Sequence, residues 1–325
     1  MVQFLVSAIT ISIVFLYGCV GEIITEKSGH LNLGIPGIMC MGTFGGCFGV
    51  ATYMNSLATQ EAAVWILLIL SAVAFSVLFA ALGGLIYAFL TVTFRCNQNL
   101  VGLALTTFGS GFTDYFMKRI NTDRFAYASK LMRSNLPVAD KLGWFGQIFL
   151  SYDILVYFAI AIAVAVALIL KKTRVGLNLR AVGENPSTAD AAGINVNRYK
   201  YAAILIGAAI AGIGGLFYVM IYVGGSWENS STIEMFGWIA IALVIFSVWK
   251  PDFAILGSFI FGMLYVLNSY SQIAFNITLS LAQKELVKLL PYFVAIVVLV
   301  ITSIVGKKET QPPASLGVNY FREER

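Results

Sequence analysis

The chain has 325 residues, of which 59% are hydrophobic and only 11% charged, with a formal net charge of +5. Soluble domains carry about 45–50% apolar and about 25% charged residues, and they avoid the large exposed apolar patches that such an excess would force on them. A soluble enzyme, a disordered chain and a disulfide scaffold are therefore excluded. The apolar runs are continuous rather than alternating, which leaves an all-α polytopic membrane protein and not a barrel.

In chain order, the gaps between formal charges leave nine apolar runs: 1–21, 28–60, 62–94, 96–113, 154–170, 201–227, 235–249, 253–283 and 289–306. A helix needs about 20 apolar residues to cross ~30 Å of hydrocarbon, so nine spans are expected, with ten as the alternative. Runs 28–60 and 62–94 are longer than one straight span and barely reach two, which predicts broken or long tilted helices there. Run 235–249 is short and is expected to recruit Glu234 or Trp249. The first run lacks a positive flank and reads as an uncleaved first helix. The domain reading is one transmembrane unit over 1–306, followed by a tail over 307–325.

At the start of the second run, Lys27 to Gly37 hold three Gly and one Pro (Gly29, Gly34, Pro36, Gly37), which interrupts regular helix. Freed backbone groups at membrane depth are tolerated only against protein or a water-lined cavity. This break reads either as a pathway element or as a turn with Pro at a helix start. His30, the one histidine, reads as a capping or interfacial residue. Gly42/Gly46, Gly45/Gly49, Gly207/Ala211/Gly215 and Ala208/Gly212 have the four-residue spacing of close helix packing in lipid. Cys19, Cys40, Cys47 and Cys96 have no metal or redox spacing and read as small apolar packers.

Segment 118–150 is too polar to span, yet it carries Phe125, Tyr127, Trp144 and Phe145. It predicts a short amphipathic helix on the outer surface, serving either as an interfacial belt or as a docking surface. The basic insert 171–200 is punctuated more sharply. A short helix is expected around Leu177–Val182, ending at Gly183. A second follows, with Asn185 as cap, Pro186 in the first turn and Gly193 at a left-handed end. Placing this insert in the cytoplasm and alternating nine spans concentrates Lys and Arg inside, with the N-terminus outside and the C-terminus inside. The bias is moderate, because 118–141 is itself basic.

"GLNLRAVGENPSTADAAGI" at 176–194 resembles the cytoplasmic coupling loop of bacterial ABC-transporter permeases of the branched-chain amino acid, ribose and nucleoside group. "SGHLNLGIPGIMCMG" at 28–42 is similar to the second-helix motif of that group, and "GLIYAFLTVTFRCNQNLVGLALTTFGSG" at 84–111 and "AAIAGIGGLFYV" at 208–219 continue the likeness. "PPASLGVNYFREER" at 312–325 resembles the tail of the smaller, guanosine-type nucleoside permease subunit, whereas the ribose-type motif at 28–33 is absent.

The resemblance implies an importer permease in a bacterial plasma membrane, probed from outside by a substrate-binding lipoprotein and driven by a cytoplasmic ABC ATPase. It further implies a second, related permease as heterodimer partner. Residues Asn185 to Gly193 would form the coupling helix, with Pro186, Ala189 and Ala192 in it and Arg180 and Glu184 as polar contacts. The chain has no GxxxxGK[ST] phosphate loop, so ATP hydrolysis falls to another subunit, and no cofactor, metal or nucleic acid is expected. Beside lipid, the polar groups that qualify for a pathway are Asn32, Asn99, Asn268 and Gln272, together with Gly34 and Pro36 at the break. Sugar or branched-chain amino acid uptake is the nearest alternative; an ion-coupled carrier, which needs midplane ionisable groups, is the more distant one.

Overall fold

The structure is a computed structural model that describes residues 2–133, 143, 146, 148, 150–275, 280–305 and 311–321. Among these residues each charge-free run holds one principal helix. They are α1 (Val2–Glu26), α2 (Ile35–Ser56), α3 (Trp65–Ala88), α4 (Gln98–Met117), α6 (Ile154–Lys172), α9 (Val196–Phe217), α10 (Ser231–Phe246), α11 (Pro251–Phe275) and α13 (Leu290–Val305). Between them lie α5 (Phe125–Met132), α7 (Arg174–Glu184), α8 (Pro186–Ala191) and α12 (Leu281–Lys288). The long runs 28–60 and 62–94 each give one helix and not two. The first spends its start on the irregular break; the second continues α3 through a wider π turn, Phe89–Thr93. A matching π turn, Tyr218–Tyr222, extends α9.

By length and composition five segments are long and apolar enough to cross a membrane: α1, α2, α3 with its π turn, α6, and α9 with its π turn. Burial sorts them into two groups. The apolar windows of α1, α2 and α9 are 72%, 89% and 78% buried, whereas those of α3 and α6 are 33% buried. The first three therefore form the centre, and α3 and α6 turn most of their surface outward. Small residues let the central helices approach: a Cβ added to Gly42 would collide with Gly212 Cα, and one added to Gly207 would collide with Gly21 O. That contact replaces the hydrophobic drive that lipid does not supply.

Two boundaries differ from the sequence expectation. Counting charge gaps ends the first run at residue 21, but α1 continues to Glu26 and buries Glu22 and Glu26 completely. Both carboxyls find partners, which a charge count cannot see: Glu22 Oε1 accepts the Asn32 N–H at 3.0 Å, and Glu26 Oε2 accepts from the Trp249 indole. The short run is rescued at its front, because α10 starts at Ser231 and takes Glu234 into its first turn. Trp249 lies beyond it, at a left-handed φ of 53°.

On the opposite end, α5 is the amphipathic helix expected near 125. Its face Phe125, Ala128, Ser129 and Met132 is buried in the protein, and Ser129 Oγ donates to Met220 O at 2.6 Å. Phe125 is thus a core residue and not a lipid-belt anchor. Trp144 and Phe145 lie outside the described residues.

Candidate coupling element and transport pathway

Two short helices stand below the bundle. Thr173 opens α7 by accepting the Gly176 N–H on its hydroxyl at 3.1 Å. Asn185 closes α7 and opens α8: its backbone N–H donates to Ala181 O at 2.9 Å, while its side chain accepts the Thr188 N–H at 2.9 Å. Pro186 occupies the first turn of α8, where a missing N–H costs nothing. At the other end Gly193 adopts φ +83°, its N–H donates to Asp190 O at 3.0 Å, and the Ile194 N–H donates to Ala189 O at 3.0 Å. This pair of bonds is a Schellman termination. Helix α7 runs three residues further at its start and two further at its end than the expected 177–182.

The element divides into an inner and an outer face. Ala189 is buried with Val182 and Val196 in a small satellite core, so it holds the two helices together and presents no surface. Arg180, Glu184, Asn185, Ala192 and Gly193 are exposed, and Pro186 is half-buried. A Cβ added at Gly193 would meet nothing within 4 Å. The outer face is therefore capped at both ends and exposed, with the 311–321 segment touching it where Glu184 Oε2 accepts the Ala314 N–H at 3.3 Å.

The candidate pathway residues separate. Asn32, Gly34 and Pro36 come together in the break between α1 and α2. Asn32 is 1% exposed, its Oδ1 accepts the Gly34 N–H at 2.9 Å, and Gly34 is the N-cap residue of α2. Pro36 packs against Gly237 of α10. Around them lie Glu22, Glu26, His30, Gln98 and Lys200, each at most 2% exposed. Glu22 Oε2, both His30 ring nitrogens and Asn32 Nδ2 have no hydrogen-bond partner among the described residues. His30 is therefore not a helix cap, and burial, with the Lys200 charge adding to it, holds its imidazole well below the ordinary value. This polar nest was not legible from charge gaps.

Asn99 is exposed on the first turn of α4, apart from the nest; the buried amide of that turn is its neighbour Gln98, whose Oε1 accepts the Leu31 N–H at 2.9 Å. The side chains of Asn268 and Gln272, on α11, lie outside the described residues. Helix α4 is long but too polar to count among the apolar spans. The residues it exposes include Asn99, Leu100, Leu103, Ala104, Thr107, Phe108, Gly111 and Tyr115. This surface mixes an amide, a hydroxyl and a phenol with exposed leucines, whereas the exposed large side chains of α3 are all apolar. Near the C-terminal end of α4, Asp114 accepts both the Ser230 N–H and the Ser230 hydroxyl at 2.8 Å, so this acid has a structural role at the start of α10.

The profile of the family described as "Branched-chain amino acid transport system / permease component" matches residues 1–299. The nucleoside ABC transporter permease protein NupC of Lactococcus lactis is 28% identical over 317 residues, covering 95% of this chain and 93% of that protein. The guanosine ABC transporter permease protein NupQ of Bacillus subtilis is 31% identical over 316 residues, covering 94% and 92%. A glucose ABC transporter permease, TsgC13 of Haloferax volcanii, is 29% identical over 263 residues, covering 80% and 74%. With a capped two-helix element below an all-helical bundle and a profile match over nearly its whole length, the chain belongs to the permease components of the branched-chain amino acid transport system family: it is a multi-pass membrane subunit of an ABC importer, without catalytic activity or cofactor of its own.

Proposed function

We propose that the solute is a nucleoside, carried inward. The observation that carries this reading is the outward face of α4. Phe108 and Tyr115, 51% and 52% exposed, offer rings for a base, and Asn99 and Thr107 offer an amide and a hydroxyl for neutral polar groups. No charged residue stands between Gln98 and Thr113 to demand an ionic solute. The similarity to NupC and NupQ supports the same substrate class. In this reading α4 faces a second permease across the pathway, and the neighbouring nest of Asn32, Gly34 and His30 closes its cytoplasmic end.

All nine principal helices cross the membrane, with the N-terminus outside and 171–200 and the C-terminus inside. Helix α8 seats in the ATPase and moves with it as ATP closes the nucleotide-binding domains; Arg180, Glu184 and Asn185 make the polar contacts. The second permease is a related but different chain, and a lipoprotein delivers the solute. The test is uptake of labelled guanosine, uridine, ribose, glucose and leucine by cells with and without the gene. Loss of guanosine or uridine uptake alone supports the proposal. Loss of glucose uptake alone would favour the sugar reading that similarity to TsgC13 suggests.

A further inference from the structure

The segment 311–321 is pinned across the cytoplasmic face by contacts to three separate elements. To the coupling helices, the Ser315 N–H and hydroxyl both donate to Gly183 O, at 3.1 and 2.5 Å, and the Tyr320 hydroxyl donates to Asp190 Oδ2 at 2.8 Å. To the break before α2, the Gly317 N–H donates to Gly29 O at 3.1 Å. To the turn between α3 and α4, Asn319 Nδ2 donates to Arg95 O at 2.6 Å and to Cys96 O at 3.2 Å, and its Oδ1 accepts from Gln98 Nε2 at 3.1 Å. The Arg95 guanidinium lies 4.9 Å over the Phe321 ring. A Cβ on Gly29 would meet Ser315 Oγ at 2.8 Å, so the absence of a side chain there lets the segment approach; Gly317 is needed for its backbone, at φ +78°.

These contacts form a continuous route. Tyr320 holds the end of α8; the next residue back, Asn319, holds Gln98; Gln98 Oε1 takes the Leu31 N–H; and the next residue, Asn32, is bonded to Glu22 inside the bundle. We infer that 311–321 is a positioning strap of the transport cycle. It makes the coupling helices, the break at 27–34 and the start of α4 one body, so that displacement of α8 is delivered directly to the cytoplasmic end of the pathway. Asn319 and Tyr320 are its positioning residues. A segment held by backbone carbonyls and satisfied amides at three points resists shear better than a single apolar contact, because each lost bond leaves a partner unpaired. The inference rests on the coupling reading given above.

The test uses the whole transporter reconstituted in proteoliposomes with its ATPase and binding protein. Asn319→Leu keeps the size of the side chain and removes its three hydrogen bonds, and Tyr320→Phe removes one. Combined, they are expected to lower solute transported per ATP hydrolysed at least tenfold, while the ATPase still co-purifies and its basal rate is kept. A purely structural strap would lower thermal stability and leave the transport-to-ATP ratio alone, and that result overturns the proposal. Should the double variant fail to insert, Tyr320→Phe alone takes its place: a lowered ratio of transport to ATP hydrolysed supports the strap, and a wild-type ratio with that bond removed overturns it. Absence of ATP-driven uptake in the wild-type complex would instead remove the coupling reading itself.

Discussion

Asn32 gives its backbone N–H to the Glu22 carboxylate at 3.0 Å, and this bond fixes the first residues of the break to the buried end of α1. Both residues are at most 1% exposed. Glu22→Gln keeps an acceptor in place and is expected to leave the melting temperature in detergent within a few degrees of wild type. Glu22→Ala strands the Asn32 N–H and should cost about 1–3 kcal/mol, the penalty for an unsatisfied buried donor. Equal melting temperatures for the two variants would show that the bond does not hold the break.

His30 makes the stability of the protein depend on pH in one direction. Its folded-state value lies well below the ordinary 6.5, so under mild acid the unfolded chain binds a proton that the folded chain refuses. Stability is full above about pH 6.5 and falls as pH drops below it, by up to roughly 1.4 kcal/mol per unit until the folded value is reached. His30→Leu should remove this part of the slope between pH 6.5 and 5. Parallel melting curves for wild type and variant across that range would contradict the burial of a neutral imidazole.

Gly111 separates folding from passage. A Cβ there meets nothing within 4 Å, and replacing a helical glycine gains up to about 1 kcal/mol of helix propensity. Gly111→Leu should insert and melt at or above the wild-type temperature, yet abolish uptake by projecting into the pathway. Normal uptake by this variant would move the pathway off α4.

At Gly193 the obstacle to substitution is the backbone alone, since a side chain there has open space at φ +83°. A left-handed conformation costs an ordinary residue about 1–2 kcal/mol, and a β-branched one more. Gly193→Asn should retain ATPase association; Gly193→Val should lose it while the chain still inserts. Pull-down of the ATPase against each variant decides the matter.

Orientation is tested with two exposed positions. In a cysteine-free background, Lys130→Cys on α5 should react with an impermeant thiol reagent added to intact cells, and Gln311→Cys should react only after permeabilisation. The reverse pattern would invert the topology.

Local punctuation was the most legible part of the sequence. Asn185, Pro186 and Gly193 specify α8 through bonds that span at most five residues, so their pattern predicts the structure directly. Small residues at four-residue spacing likewise marked two of the three central helices, α2 and α9, because close backbone approach depends on local side-chain size. What failed to show was everything carried by distant partners. Glu22 and Glu26 read as the end of an apolar run because their acceptance into the bundle depends on Asn32 and Trp249. Asn99 and Gln98 are adjacent amides whose difference is helical phase alone. Tyr320 and Asp190 are 130 positions apart, and no periodicity connects them.

The burial of Glu26 has a consequence for biogenesis. Helix α1 precedes α10 in the chain, and the indole that satisfies the Glu26 carboxyl belongs to a residue 223 positions later. Until α10 and its trailing turn leave the ribosome, that carboxyl has no place inside the hydrocarbon and stays hydrated at the rim of the bilayer. The final seating of α1 therefore depends on a residue translated well after it. A chain truncated before Trp249 would carry a first helix whose Glu26 carboxyl has lost its indole partner.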